Sequence, residues 1–392
     1  MSSPRHKVLF LASWYPNRLD PFLGNFVQRH AEAVSAFADV AVLHVCADPG
    51  LQSRFETEAG KEKNIFTVRV YYKKIDSGIP FISFIRKYIR NSKAHLQGYE
   101  KIREYFNGDP HIVHLHVALN AGFFALRLNK KPGIPFIVTE HSTEYHAKMP
   151  ALRLFPAQRI CGMAELVCPV SDDLREKMKE RGIANHFEVV PNVVDTALFY
   201  PESGQARSKK RIIHVSTLKE GQKNASGMLR VIQRLSERRS DFELLIVSDG
   251  DIAPAQRQAE RAGLLGSVVH ILPAQPIEEV ARLMRGSDIF LLFSNFENLP
   301  CVIAEALCCG LPVVSSRAGG IAEMVNGRNG LLVEPRDEQG LLEQLTIMLD
   351  RCDSYDKAEL HRSAAEKYSY ASAGKKFNDI YSRILHEKGK DR

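Results

Sequence analysis

The chain has no CxxC pair and no cysteine–histidine cluster with zinc spacing, so the usual signatures of a structural zinc module are missing. Its seven cysteines (Cys46, Cys161, Cys168, Cys301, Cys308, Cys309 and Cys352) are odd in number and scattered, as expected in a reducing cytoplasm. No stretch approaches the roughly 18–20 apolar residues of a spanning helix, so a membrane crossing is not expected, although the chain can lie against a membrane. Arg5 and Lys7 precede an apolar run, but Val8–Ala12 is too short for a signal-peptide core and no small-residue cleavage site follows cleanly. The composition is otherwise that of an ordinary soluble protein, 44% hydrophobic and 25% charged. A net charge of +7 suits anionic partners such as nucleotide diphosphates or an anionic lipid surface. No nucleic-acid partner is expected.

At 392 residues the chain is long for one core and comfortable for two domains. Short Val/Ile/Leu-rich runs recur at 7–12, 40–45, 66–72, 111–117, 136–139, 166–170 and 187–190. They recur again at 211–215, 244–247, 268–272, 289–293, 312–314 and 330–333. Continuous rather than alternating, they read as strands buried on both faces of parallel sheets. Helix-length segments between them predict two doubly wound α/β sheets. The polar stretch 200–210 reads as the linker, giving domains 1–200 and 201–370. The terminal segment 371–392 carries Phe377, Ile380, Tyr381 and Ile384 on one stripe, which has to pack on a core, the first domain being one candidate.

Ligands of open α/β sheets sit at the carboxyl ends of strands. The residues there are Ser13, His116, Glu140, His141, Ser171, Pro191 and Asn192, then 216–223, 248–250, Pro273, 294–297 and Ser315. The first strand–helix connection lacks GxGxxG, which argues against a nicotinamide enzyme. Gly24 there either admits a ligand to the backbone or simply opens a helix. After the run ending at Phe293, Glu297 falls in a loop and Glu305 just over one turn into a helix that Gly310 stops. Carboxylates in this position can accept the paired hydroxyls of a sugar diol, with the amides near Asn298 and Leu299 facing phosphate oxygens. They can equally complement the positive end of the helix. Spacing alone leaves both readings open.

The stretch Ser294–Val314 resembles the E-x7-E motif of the retaining glycosyltransferases of family 4. Further matches are Gly319–Glu323, Asn329–Val333, the interdomain signature Val189–Asp195 with Phe199, Val247–Gly250, His114–His116 and Thr139–Ser142. The resemblance spans nearly the whole chain. It implies the GT-B fold, two Rossmann-like domains facing across a cleft, and a nucleotide diphosphate sugar as donor, UDP- or GDP-linked. It further implies Glu297 on the donor hexose, Glu305 on the ribose diol and Lys223 on the diphosphate. Gly24 would approach that diphosphate, His141 would lie near the transferred sugar, and the backbone at Leu272–Pro273 would receive the base. Transfer would retain anomeric configuration without metal or other cofactor. Where the family often has an arginine before the lysine, this chain has Thr217, with Lys219 as a substitute cation.

Three features are read as decoys or left open. Asp249-Gly250-Asp251 is a literal DxD, but it overlays a glycine turn of the family. His114 and His116 share a strand face, yet no third metal ligand is evident nearby; His116 borders the strand end and His114 reads as packed. The segment Tyr71–Lys93 interleaves Lys73, Lys74, Arg86, Lys87, Arg90 and Lys93 with Ile79, Phe81, Ile82, Phe84, Ile85 and Tyr88. That pattern suits either an anionic membrane surface or a solvated helix with a core stripe. The expectation is a cytoplasmic transferase, a candidate for the inner membrane face, adding a hexose or hexosamine to a saccharide or polyprenyl-linked acceptor of a cell-surface glycoconjugate. The alternatives are a silent nucleotide- or carbohydrate-binding module and a sugar-nucleotide epimerase.

Overall fold

A computed structural model describes residues 5–74, 80–147, 149–202 and 207–389, except the side chains of 80–85. The chain forms two compact units. Residues 1–170, 174–191 and 370–392 make the first; 171–173 and 192–369 make the second. The crossing at 191/192 falls before the polar stretch 200–210.

The first unit contains β1 (Lys7–Ala12), α1 (Asn25–Ser35), β2 (Asp39–Asp48), β3 (Phe55–Glu62), β4 (Ile65–Lys73), α2 (Pro80–Phe106), β5 (Ile112–His116), α3 (Gly122–Lys130), β6 (Phe136–Glu140), α4 (Ala151–Met163), β7 (Leu166–Pro169) and most of α5 (Asp172–Glu180). Its sheet order is β3-β4-β2-β1-β5-β6-β7. Every neighbouring pair is parallel except β3 with β4. The strands β1, β5 and β6 are almost wholly buried, as their unbroken apolar runs require.

β3 is absent from the sequence reading, and its composition explains why. Phe55–Glu62 is a half-exposed edge strand with three glutamates and a lysine among its eight residues, so it lacks the apolar signature of a central strand. Its signal is the turn: Lys63 (φ 45°) and Asn64 (φ 68°) are both left-handed, as a two-residue hairpin demands. The expected strand at 187–190 is reduced to a single bridge from Phe187 to Val167.

The second unit contains β8 (Lys210–Val215), α6 (Glu220–Lys223), α7 (Ala225–Ser236), β9 (Phe242–Val247), α8 (Ala253–Arg261), β10 (Val269–Leu272), α9 (Ile277–Arg285), β11 (Ile289–Leu292), α10 (Cys301–Cys308), β12 (Val313–Ser316), β13 (Gly330–Val333), α11 (Glu338–Arg351) and α12 (Lys357–Tyr368). Its parallel sheet runs β10-β9-β8-β11-β12-β13. Ile212, Leu244, Ile246, Leu291 and Val314 from the sheet pack with Met228, Ile232, Leu342 and Leu345 from the helices. The last helix, α13 (Tyr370–Glu387), belongs to the first unit and packs on α1, with Phe377, Ile380, Tyr381 and Ile384 buried.

Each sheet reverses its winding once, between β1 and β5 in the first unit and between β8 and β11 in the second. Crevices at such switch points are where open α/β sheets bind ligands.

Candidate active site

In the second unit, both loops at the switch point carry site residues. The chain leaves β8 through α6, a single turn ending at Lys223, and Asn224 turns it into α7 with a left-handed φ of 48°. The loop after β11 is tied to that turn. Asn295 N–H donates to the Gln222 carbonyl at 2.7 Å, and Asn295 Nδ2 donates to the Gly221 carbonyl at 3.1 Å. Held this way, Lys223 Nζ donates to Glu297 Oε1 as a buried ion pair. Ser294 Oγ donates to the same oxygen at 2.7 Å, and Gln222 Nε2 lies 3.5 Å from Oε2. A charge pair taken out of water in this way needs such extra donors to be tolerated.

Neighbouring glycines let backbone close over this loop. A Cβ on Gly319 would stand 1.9 Å from the Glu297 carbonyl oxygen, and one on Gly320 would stand 2.1 Å from that of Asn298. Asn192 Nδ2 donates to the Leu299 carbonyl at 2.7 Å, which gives the Val-Pro-Asn segment a structural job. The side chains of Asn298 and Leu299 are buried. α10 begins at Cys301, with Pro300 at its N-cap. Glu305, five residues into the helix, is also buried. Burial, with the Glu305 charge adding to it, pushes the Cys308 thiol up to about 12, so this thiol stays protonated and is no nucleophile at neutral pH.

The Thr217 loop is tight. Leu218 is left-handed (φ 53°), and the Thr217 carbonyl occupies the space a Cβ on Gly250 would need, at 1.9 Å. Thr217 Oγ1 is buried with no hydrogen-bond partner, whereas Lys219 is exposed at the N-cap of α6. In the DxD-like stretch Asp251 Oδ1 accepts the Ala253 N–H at 3.0 Å, a turn at the entrance to α8. Pro273 is exposed just past β10.

In the first unit, Gly24 is left-handed (φ 67°) at the start of α1. A Cβ there would stand 2.5 Å from the Trp14 carbonyl group, so the chain's own backbone accounts for this glycine. From α1, the Phe26 ring covers His141 with centroids 4.5 Å apart. The turn bearing His141 is set by Glu140. Its buried carboxylate accepts the N–H groups of Ala118, His141 and Ser142 at 2.9–3.0 Å, while burial raises its pKa.

Histidines crowd behind this turn. His116 Nδ1 lies 3.3 Å from His141 Nε2, and the His30 ring of α1 lies tilted against both rings, with centroids within 5.6 Å. His114 is a packed residue, bonded through Nδ1 to Tyr381 Oη at 2.6 Å and through Nε2 to Thr139 Oγ1 at 2.7 Å. The sequence places His114 and His116 on one strand face with no third metal ligand evident nearby. The structure instead brings His116 together with His30 and His141, which lie 86 and 25 positions away in the chain. The missing signal was tertiary, because nothing local links an α1 residue to the ends of β5 and β6.

With this geometry in view, the chain can be compared with known proteins. The family model for Glycosyltransferase Family 4 matches residues 24–198, and that for Glycosyl transferases group 1 matches residues 209–351. The candidate teichuronic acid biosynthesis glycosyltransferase TuaC of Bacillus subtilis (strain 168) is 23% identical over 360 residues, covering 87% of this chain and 88% of that protein. Sucrose-phosphate synthase of Thermosynechococcus elongatus has a similar fold, with a TM-score of 0.76 at 16% identity over 97% of this chain and all of that one. So does Anabaena Alr3699/HepE, solved in complex with UDP, with a TM-score of 0.73 at 17% identity over 96% of this chain and all of that one. The chain belongs to glycosyltransferase family 4: it is a glycosyltransferase of GT-B fold, with two parallel-sheet α/β domains.

Proposed function

We propose that the protein is a retaining transferase that moves a hexose or hexosamine from a UDP- or GDP-sugar to a glycan or lipid-linked acceptor, in the synthesis of a cell-surface polysaccharide or glycoconjugate. The observation that carries this reading is the buried Lys223–Glu297 pair at the β8/β11 switch point, with Glu305 one helix turn beyond. Breaking a glycosyl–phosphate bond builds negative charge on the leaving diphosphate. A preorganised ammonium and helix-start amides stabilise that charge without waiting for solvent to reorganise. Lys223 supplies the ammonium, and the backbone at Asn298 and Leu299 supplies the amides. Glu297 accepts hydroxyls of the donor sugar, and Glu305 accepts the ribose diol. Thr217 offers a neutral hydroxyl where relatives place a guanidinium, so more of the stabilisation rests on Lys223. Pro273 marks where the base lies. By the family pattern His141 serves the transferred sugar, whereas the space a diphosphate would need beside the Gly24 Cα is taken by the Trp14 carbonyl. No resident metal or other cofactor enters this reading.

The names of similar proteins support it: TuaC is assigned to teichuronic acid biosynthesis, and HepE was solved with UDP. Incubation with UDP- and GDP-sugars, with and without lipid-linked acceptors, tests it by product analysis. A new glycosidic product that appears only with acceptor is expected. An isomerised sugar nucleotide without acceptor indicates an epimerase, and binding without any product indicates a silent module.

We also propose that the first unit rests on an anionic membrane surface from the cytoplasmic side. No helix among the described residues is long and apolar enough to cross a membrane. On α2, Arg86, Lys87, Tyr88 and Ile89 are exposed. On α4, Leu152 and Phe155 are 91% and 68% exposed beside Arg153. Basic and apolar side chains presented together suit anionic headgroups. Ile79 and the side chains of Phe81, Ile82, Phe84 and Ile85 lie outside the described residues. Arg90 donates to the Lys73 carbonyl at 2.7 Å, so it also holds the fold together. The cleaner test therefore reverses Arg86 and Lys87 alone. Flotation with anionic liposomes is expected for wild type and lost in that variant; soluble behaviour of both overturns the membrane reading.

A further inference from the structure

The histidine cluster of the first unit holds more polar capacity than its surroundings satisfy. One ring nitrogen from each of His30, His116 and His141 lies within 4.8 Å of the other two. The donors come from three elements: α1, the end of β5, and the residue after β6. Phe10 stacks on His116 at 4.8 Å, Phe26 covers His141, and Phe377 meets His30 edge-on at 5.6 Å, so the rings are held in an apolar aromatic shell.

Two observations point to a ligand. His30 Nε2–H donates to the Pro191 carbonyl at 3.2 Å, which leaves Nδ1 as a buried lone pair without a partner. A backbone carbonyl that fixes the tautomer of a histidine is the arrangement found behind metal-binding imidazoles. His116 Nδ1 sits 3.3 Å from His141 Nε2. A tetrahedral ion with metal–nitrogen bonds of about 2.0–2.1 Å separates its ligand atoms by about 3.3–3.4 Å. One pair therefore already stands at that spacing. His114, beside them, is saturated at both nitrogens and is not a ligand.

We propose that His30, His116 and His141 form a binding site for a borderline divalent transition-metal ion, Zn2+ being the natural occupant of three imidazoles with one open position. His141 is the only one of the three with measurable exposure, 8%, so the fourth, water-bearing position opens on its side. An ion bound there holds the His141 ring. On the function proposed above it silences transfer until a chelator removes it, which makes the site an inhibitory one.

The test is binding of Co2+ to metal-free full-length protein, read by its visible ligand-field absorption, so that its outcome does not depend on transfer activity. A saturable four-coordinate spectrum at one ion per chain, displaced by Zn2+, is expected. His116→Gln and His30→Gln are expected to weaken Co2+ binding by at least about 100-fold, since losing even an outer partner of a ligand costs 10–100-fold. His270→Gln, at a half-exposed residue outside the cluster, serves as the control and is expected to bind as wild type does. Absence of the spectrum in wild type, or its survival in His116→Gln, overturns the proposal and assigns bound ions to surface histidines. Should the cluster variants fail to fold, nitrogen-15 spectra of histidine-labelled wild type decide. Zn2+ must shift His30, His116 and His141 together, and shifts confined to other histidines refute the site.

Discussion

Lys223→Met is expected to destabilise the second unit by about 3 kcal/mol. The side chains of Lys223 and Glu297 are only 11% and 6% exposed, so removing the ammonium strands a buried carboxylate. Breaking a buried pair from one side typically costs about 3–5 kcal/mol. Ser294 Oγ remains at 2.7 Å from Glu297 Oε1, and a hydrogen bond to a charged group recovers part of that, which places the estimate at the low end. Glu297→Gln keeps an acceptor for Ser294 and leaves an ammonium on a flexible stem, so its cost is expected nearer 2 kcal/mol. In Lys223→Met/Glu297→Leu neither charge is stranded, and the double variant is expected to be more stable than the sum of single effects by about 2 kcal/mol or more. Urea unfolding followed by far-UV circular dichroism measures all three. Trp14, the one tryptophan, lies in the first unit, and its fluorescence provides a separate record of that unit. A Lys223→Met variant within about 0.5 kcal/mol of wild type, the range of an ordinary surface change, refutes the pair as a desolvated element.

Gly250→Ala pushes a methyl into the Thr217 carbonyl, backbone against backbone, and is expected to lower the thermal midpoint by at least about 4 °C; an unchanged midpoint shows that the Thr217 loop can move aside. Burial lowers the pKa of His30, His44, His95 and His214 to about 4 from an ordinary 6.5. Because the unfolded chain then binds more protons, stability is full above pH 6.5 and falls as the pH drops from 6.5 towards 4, by up to about 1.4 kcal/mol per pH unit for each such histidine. Urea midpoints at pH 7, 6 and 5 check this, and a flat profile contradicts it; His44→Asn, removing one titrating group, is expected to reduce the slope. Glu305→Ala is expected to weaken binding of free nucleotide by at least about tenfold, since a ribose diol loses its acceptor, whereas Glu297→Ala chiefly slows transfer. Calorimetric titration with UDP and GDP separates the two, and equal nucleotide affinity in Glu305→Ala and wild type removes the assigned division.

Much of the fold was legible because parallel strands buried on both faces must be apolar at nearly every position. Lys7–Ala12 was found to the residue, and Phe242–Val247 and Ile289–Leu292 nearly so. β3 escaped because an exposed edge strand carries no such demand. Glu297 and Glu305 could be placed beside a strand end from local spacing, but spacing could not separate diol recognition from helix electrostatics; diol recognition is an expectation drawn from the family resemblance. The Lys223–Glu297 contact spans 74 positions and exists because two loops meet at the β8/β11 switch point.

The sequence by itself determined the class of fold, the repetition of that fold in two halves, the glutamate element and the unusual Thr217. Each is written in local periodicity or in a short contiguous motif. Only the tertiary structure decided that the Gly24 face is filled by Trp14, that Lys223 neutralises Glu297, and that His30 joins His116 and His141. Those facts depend on strand order and on how connecting loops return to a sheet. Such contacts form between residues whose separation along the chain carries no information about their separation in space.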